Sequence, residues 1–203
     1  MLWGYANGIF PMAQSADDPE LHWFDPHQRG ILPVGGVHAS RSMRRHLRHA
    51  GWRAVLNGDF AGVIAGCAAR DETWINAPLV ALYQELHAAG HADSLEIRDG
   101  DALIGGVFGV TIGGAFFGES MFSRRRDASK AALLWMSAHL AACGFTLFDT
   151  QYPSAHLASL GGQTISRAEY HDRLAQAVVI RADLRAQPLP GPDQVLQLNT
   201  QTS

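Results

Sequence analysis

Gly118-Glu119-Ser120-Met121-Phe122-Ser123-Arg124-Arg125-Arg126-Asp127-Ala128-Ser129-Lys130, the amphipathic run to Cys143, and then Leu147-Phe148-Asp149-Thr150-Gln151 decide how this chain folds. Apolar spacing from about 128 to 143 puts Leu133, Met136, Leu140 and Cys143 on one helical face. Asp127 or Ser129 can cap that helix, and Gly144 closes it. Strand-like segments flank it, 115–122 before and 145–151 after. Glu119, Asp149 and Gln151 therefore sit at the ends of a strand–helix–strand unit, beside an uninterrupted cationic cluster. The first three groups suit amine chemistry. The arginines suit a substrate tied to a polyanion.

Outward from this unit the pattern stays legible. Residues 94–98 and 102–111 flank Asp99-Gly100, a hairpin signal, and Gly113-Gly114 separates the second of these from 115–122. Three antiparallel strands, a helix and a further strand form the skeleton of an N-acetyltransferase-like α+β fold. Helices are expected over 59–70, 78–89, near 154–160 and over 166–177; short strands are expected at 23–24 and 29–33. This gives a small mixed N-terminal domain (1–62), a catalytic domain (63–182) and a proline-containing, loosely attached tail (183–203).

With 203 residues and 47% apolar content, the chain can bury one sizeable core. Two cysteines, Cys67 and Cys143, make no disulfide framework and read as small buried hydrophobes in a reducing cytoplasm. The start lacks a basic region and is broken by Gly and Asn, so it does not read as a signal peptide, and no apolar run is long enough to span a bilayer. Net charge is −3, yet the basic residues are unevenly placed. Residues 41–53 carry five arginines and no acid, with Arg41, Arg44, Arg45 and Arg48 at helical spacing, which suits backbone phosphates as well as a solvated surface helix. His87 and His91 have ligand spacing, but Gly90 ends the helix between them, and no metal or cofactor is expected.

The segment 123–130 contains no glycine, whereas a coenzyme A pyrophosphate needs a glycine-rich approach to a helix start. A larger, multiply phosphorylated acyl carrier fits better. At this point the chain resembles bacterial leucyl/phenylalanyl-tRNA–protein transferases. The resemblance rests on an ordered set of segments over residues 5–177. They are Tyr5-Ala6-Asn7-Gly8-Ile9-Phe10-Pro11-Met12, Trp23-Phe24-Asp25-Pro26 with Arg29-Gly30-Ile31-Leu32-Pro33, Ser40-Arg41-Ser42-Met43, and Glu72-Thr73-Trp74-Ile75. The set continues with Gly118 to Ser123, Asp127 to Leu133, Asp149-Thr150-Gln151 and His156 to Gly161.

The resemblance implies transfer of Leu or Phe, and less readily Met, from aminoacyl-tRNA to proteins beginning with Arg or Lys, creating a degradation signal. It implies an electrostatic relay at Asp149 and Gln151: Gln151 touches the reacting amine or carbonyl oxygen, and Asp149 orients it and stabilises positive charge on the attacking nitrogen. Glu119 is read as recognising the acceptor; spacing does not decide whether it or Asp149 meets the acceptor side chain. Val107, Phe116, Met121 and Phe122 are expected to line the donor pocket, and Trp74 to stack on the terminal adenine. Arg41, Arg45 and Arg48 would carry the tRNA body, while Arg124, Arg125, Arg126 and Lys130 approach its acceptor end. A soluble, cytoplasmic monomer is expected. A coenzyme A-dependent N-acetyltransferase and a non-catalytic aminoacyl-tRNA binder are the competing readings.

Overall fold

The computed structural model describes residues 1–199. The chain opens with α1 (Leu2–Ala6) and a two-stranded ribbon of β1 (Phe10–Met12) and β2 (His22–Phe24). It continues through β3 (Gln28–Leu32), α2 (Arg41–His49), β4 (Arg53–Leu56), α3 (Phe60–Ala68), α4 (Ala77–Ala88), β5 (Ala92–Asp99), β6 (Ala102–Ile112) and β7 (Ala115–Ser123). Then come α5 (Ala128–Ala142), β8 (Leu147–Gln151), α6 (Ala155–Ala158), β9 (Gln163–Ser166), α7 (Arg167–Ala177) and α8 (Pro192–Leu198). Seven strands make one mixed sheet, ordered β4-β5-β6-β7-β8-β3-β9. The β5–β6–β7 meander matches the turn signals, with Gly100 at φ 57° in the expected hairpin. Among the described residues only β7 and β8 pair in parallel, and α5 is the crossover such a pair requires.

Alternating side chains divide the sheet between two cores. Val107, Phe116 and Phe148 pack with α2, α5 and α8 on one face. Phe108, Phe117 and Leu147 pack with α3, α4 and α7 on the other. The architecture is a mixed α/β sandwich around a single sheet. β3 and β4, both inside the segment read from sequence as a separate domain, are strands of that sheet.

Two expectations about the α5 side need correction. First, α5 is buried on every side from Ala131 to Leu140, not on one stripe. Its polar groups explain what covers it: the Trp135 indole N–H donates to Pro190 O at 2.9 Å, His139 Nε2 lies 2.7 Å from Leu184 O, and Ser137 Oγ donates to Pro33 O at 2.7 Å. Second, the tail up to residue 199 is therefore docked rather than loose. Leu184, Val195 and Leu196 are core residues, and Asn199 Oδ1 accepts from Val37 N. Residues 200–203 of the tail expectation lie outside the described residues. The docking of the tail is not legible in the sequence because Pro188 and Pro190 interrupt any period before α8, which opens on Pro192 and is only seven residues long. Leu196→Ala should lower unfolding free energy by roughly 2–5 kcal/mol in urea titrations, the usual cost of emptying a core leucine site. A loosely attached tail would show less than about 0.5 kcal/mol.

Candidate functional site

Parallel pairing of β7 with β8 stops at Phe117 and Asp149. Beyond it each strand carries a bulge. On β7, Gly118 and Ser120 pair with consecutive residues of β6, leaving Glu119 as the extra residue. On β8, Gln151 and Asp149 pair with consecutive residues of β3, leaving Thr150 extra. Gln151 then takes φ 62°, a left-handed conformation rare outside glycine. Gly30 permits the β8 bulge, because a Cβ there would sit 2.9 Å from both Thr150 Oγ1 and Tyr152 O. The strands open into a cleft whose walls carry Glu119 and Thr150.

Asp149 is fully buried and saturated. Arg29 Nε donates to its Oδ1 at 2.9 Å and Arg29 Nη2 to its Oδ2 at 2.6 Å. The Tyr170 hydroxyl donates to Oδ2 at 2.9 Å, and Gln151 N donates to Oδ1 at 2.8 Å. Arg29 is itself buried between the rings of Phe10 and Tyr170, and its Nη1 donates to Gly8 O at 3.0 Å. Burial is the largest single influence and would weaken the guanidinium's hold on its proton, but the Asp149 charge and hydrogen bond, with smaller help from Tyr170 and Glu119, together outweigh it and the net shift is upward. Asp149 meets Gln151 through the Gln151 backbone N–H. No surface of Asp149 faces the cleft, so positive charge on an attacking nitrogen would meet an already paired carboxylate.

The second buried carboxyl of the site is Glu119. Gln151 Nε2 donates to its Oε1 at 2.9 Å, and the Tyr83 hydroxyl donates to its Oε2 at 2.6 Å, with Tyr5 Oη a further 3.4 Å from Tyr83 Oη. Burial is the largest influence on this carboxyl and raises it; hydrogen bonds from Tyr83, Tyr5 and Gln151 pull the other way, and the Asp149 charge adds to the rise. The result is about 7. Burial first, and Glu119 second, push the Tyr83 and Tyr5 hydroxyls well upward, so both remain neutral donors.

Glu119 forms part of a mainly apolar cavity of about 100 Å³, with Val107 and Met121 from the sheet, Phe148 beneath, and Leu133 and Leu157 from α5 and α6. Two of the four residues expected in the donor pocket are thus on its wall, Val107 and Met121. Phe116 is instead sealed in the core, edge-on to Phe148 at 5.2 Å. Phe122 faces a neighbouring recess. Trp74 borders a separate recess with residues 14–17 and 71–73. Sequence reasoning missed Arg29, Tyr5, Tyr83 and Tyr170. The one usable signal was Arg29, a lone charge entering an otherwise apolar strand that had to find a buried partner.

The cationic residues divide into used and free. Arg41 and Arg45 line a shallow concavity with Ser42, His46 and His49, on the face of α2 opposite buried Met43 and Leu47. Arg44 turns back to Ala39 O, and Arg48 lies 3.7 Å from Asp193. Arg125 pairs with Asp99, and Lys130 with Asp127 at 2.8 Å. Neither expected cap of α5 forms: Asp127 makes no side-chain cap bond, and Ser123 Oγ accepts from Ser129 N. His87 stacks on Phe60 at 4.0 Å and meets Ala92 O at 2.7 Å, a packing role. No cluster of three metal-ligating side chains occurs among the described residues, and none of their helices is long and apolar enough to cross a membrane.

Comparison with known proteins identifies the family. Residues 31–175 match the family model for leucyl/phenylalanyl-tRNA protein transferase, and residues 1–27 match that of its N-terminal domain. A Paracoccus denitrificans protein is 67% identical over 203 residues, covering 100% of this chain and 96% of its own length. One from Cereibacter sphaeroides is 57% identical over 205 residues, with 100% and 95% coverage. One from Ruegeria pomeroyi is 52% identical over 203 residues, with 100% and 97% coverage. Each is named leucyl/phenylalanyl-tRNA–protein transferase.

The Glu119 carboxyl makes stability depend on pH. Folded, it keeps its proton up to about 7; unfolded, it releases it near the ordinary 4.5. Between those values the folded state binds more protons, so its stability falls as pH rises and levels off above 7. Urea unfolding at pH 5 and pH 8 should show a loss on the order of 1–3 kcal/mol from this group. In Glu119→Gln that component should vanish; an unchanged pH difference would remove the assigned protonation.

Proposed function

The chain belongs to the leucyl/phenylalanyl-tRNA–protein transferase family, and from that premise we propose how its site transfers an amino acid from tRNA to protein. It is an aminoacyltransferase. The donors are Leu- and Phe-tRNA and, less readily, Met-tRNA. The acceptors are proteins whose first residue is Arg or Lys, and the product carries a degradation signal. These specificities rest on the motif resemblance. The β5–β6–β7 meander, the α5 crossover and the opening between β7 and β8 favour an N-acetyltransferase-like arrangement. The protein acts as a cytoplasmic monomer.

The observation that carries the reading is the contact between an apolar cavity and a buried carboxyl–carboxamide pair, Glu119 and Gln151. The travelling Leu, Phe or Met side chain occupies the cavity, whose Met121 wall adapts to branched and aromatic guests. With its amide nitrogen turned to Glu119, Gln151 leaves Oε1 as the end that accepts an N–H of the incoming amine. The amine nitrogen attacks the ester carbonyl and a tetrahedral intermediate forms. Glu119 takes the N–H proton, and the ribose oxygen departs and regains a proton. A free α-amine has a pKa near 8, so a carboxylate of about 7 is well matched, whereas an ordinary one is a poor base. Alignment supplies the larger share, roughly 7–11 kcal/mol of barrier.

The deciding assay mixes the protein with labelled Phe-tRNA and a peptide beginning with Arg. Label should move to the peptide; label held on tRNA in a stable complex would favour a binder, and tRNA-independent consumption of acetyl-coenzyme A an acetyltransferase. Glu119→Gln should lower kcat by roughly 10²–10⁴-fold while tRNA affinity changes little. Arg45→Ala should weaken tRNA binding and reduce the slope of log K against log salt by about 1, with kcat retained. Equal loss of tRNA affinity in both variants would overturn this division of roles.

A further inference from the structure

Next to the donor cavity lies a larger recess, about 370 Å³, which no step of the transfer uses. Its walls include Gly66, Arg70, Met121, Phe122, Arg124 and Ser129. Three features distinguish it from ordinary surface relief. Met121 borders both cavities, so the recess begins where the donor pocket ends. Two guanidiniums flank it, each fixed through a backbone carbonyl: Arg70 donates to Met121 O, and Arg124 Nη1 to Leu103 O at 3.1 Å. Arg124 also lies over the Phe122 ring, 5.3 Å from its centroid. Finally, neither guanidinium has a carboxylate within ion-pairing reach among the described residues, although the adjacent Arg125 and Arg126 are paired with Asp99 and Asp127.

Anchored arginines with spare donors and no protein anion are built for an oxyanion with several oxygens. Hydroxyl-bearing Ser129, in the first turn of the 15-residue helix α5, adds a polar donor on the same wall. We propose that this recess binds the phosphodiester joining the donor's terminal nucleoside to the nucleotide before it, with Arg70 and Arg124 holding its non-bridging oxygens. The assignment rests on the transferase reading: an aminoacyl side chain seated against Met121 carries its ribose out of the cavity, and the first phosphate follows within reach of the recess. The site would thereby pull the reactive end of the donor taut. It reads the backbone and not the base, which suits an enzyme that accepts different tRNA bodies.

The test compares three donors with one Arg-initiated peptide: phenylalanyl-adenosine, the phenylalanyl ester of the dinucleotide CpA, and full Phe-tRNA. Wild type should use the dinucleotide with a kcat/KM roughly tenfold or more above that of the nucleoside, the worth of a charge-assisted contact. In the Arg70→Gln, Arg124→Gln double variant that ratio should collapse toward one. If the double variant loses all activity, the two single variants take its place, each losing part of the ratio. A ratio preserved in the variants, or a change confined to the KM of the acceptor peptide, overturns the phosphate site. Absence of transfer by wild type from full Phe-tRNA overturns the underlying reading, and the site with it.

Discussion

The buried pair of Arg29 and Asp149 is the constraint on which the rest of the structure depends. Removing two charges from water costs several kcal/mol per ion, and that cost is offset only when the geometry is good and the remaining donors and acceptors are filled. Here four donors converge on Asp149, and Arg29 spends its other side on Gly8 O between two aromatic rings. The pair ties β3 to β8, the α1–β1 turn to the sheet, and α7 to both. Each of these elements is short and would be marginal alone.

A second consequence is electrostatic. Asp149 raises the Glu119 carboxyl, while Arg29 neutralises Asp149 at close range, so Glu119 does not face an uncompensated neighbour. The two acids therefore take different roles. The saturated one fixes backbone, through Gln151 N; the other borders the cavity and is the proton acceptor of the proposed transfer. Bulges at Glu119 and Thr150 make this possible, since regular strands would have carried β7–β8 pairing past the cleft and closed it.

Much of this was legible in the sequence where periodicity runs long. The meander, α5 and β8 appear within a residue or two of their expected limits, because turn glycines and apolar spacing agree there. Glu119 and Gln151 could be named because the strand ends place them together. Strands of three to five residues such as β1, β4 and β9 give too few alternations to register, and α8 is hidden behind prolines. Pocket membership was harder. Alternation puts Val107 and Phe116 on one sheet face, yet Phe116 is covered by Phe148 while Val107 borders the opening. Which residue of a face lines a cavity depends on where neighbouring strands part, and that is a tertiary fact.

The polar site draws on Tyr5, Arg29, Tyr83, Glu119, Asp149, Gln151 and Tyr170, contributed from nearly the whole length of the chain. None of these contacts is local except that between Asp149 and Gln151. The carboxyl–carboxamide pair can therefore be aligned only after both faces of the sheet are covered, and its alignment requires no separate ordering step on binding. That matters for ester aminolysis, where position contributes more than base strength. A pair built on one flexible loop would have to be ordered at each turnover, at a conformational cost of about 1–2 kcal/mol per residue fixed. Here that ordering is completed in folding, and the strain of a left-handed Gln151 is held by the same Asp149 that Arg29 holds in place.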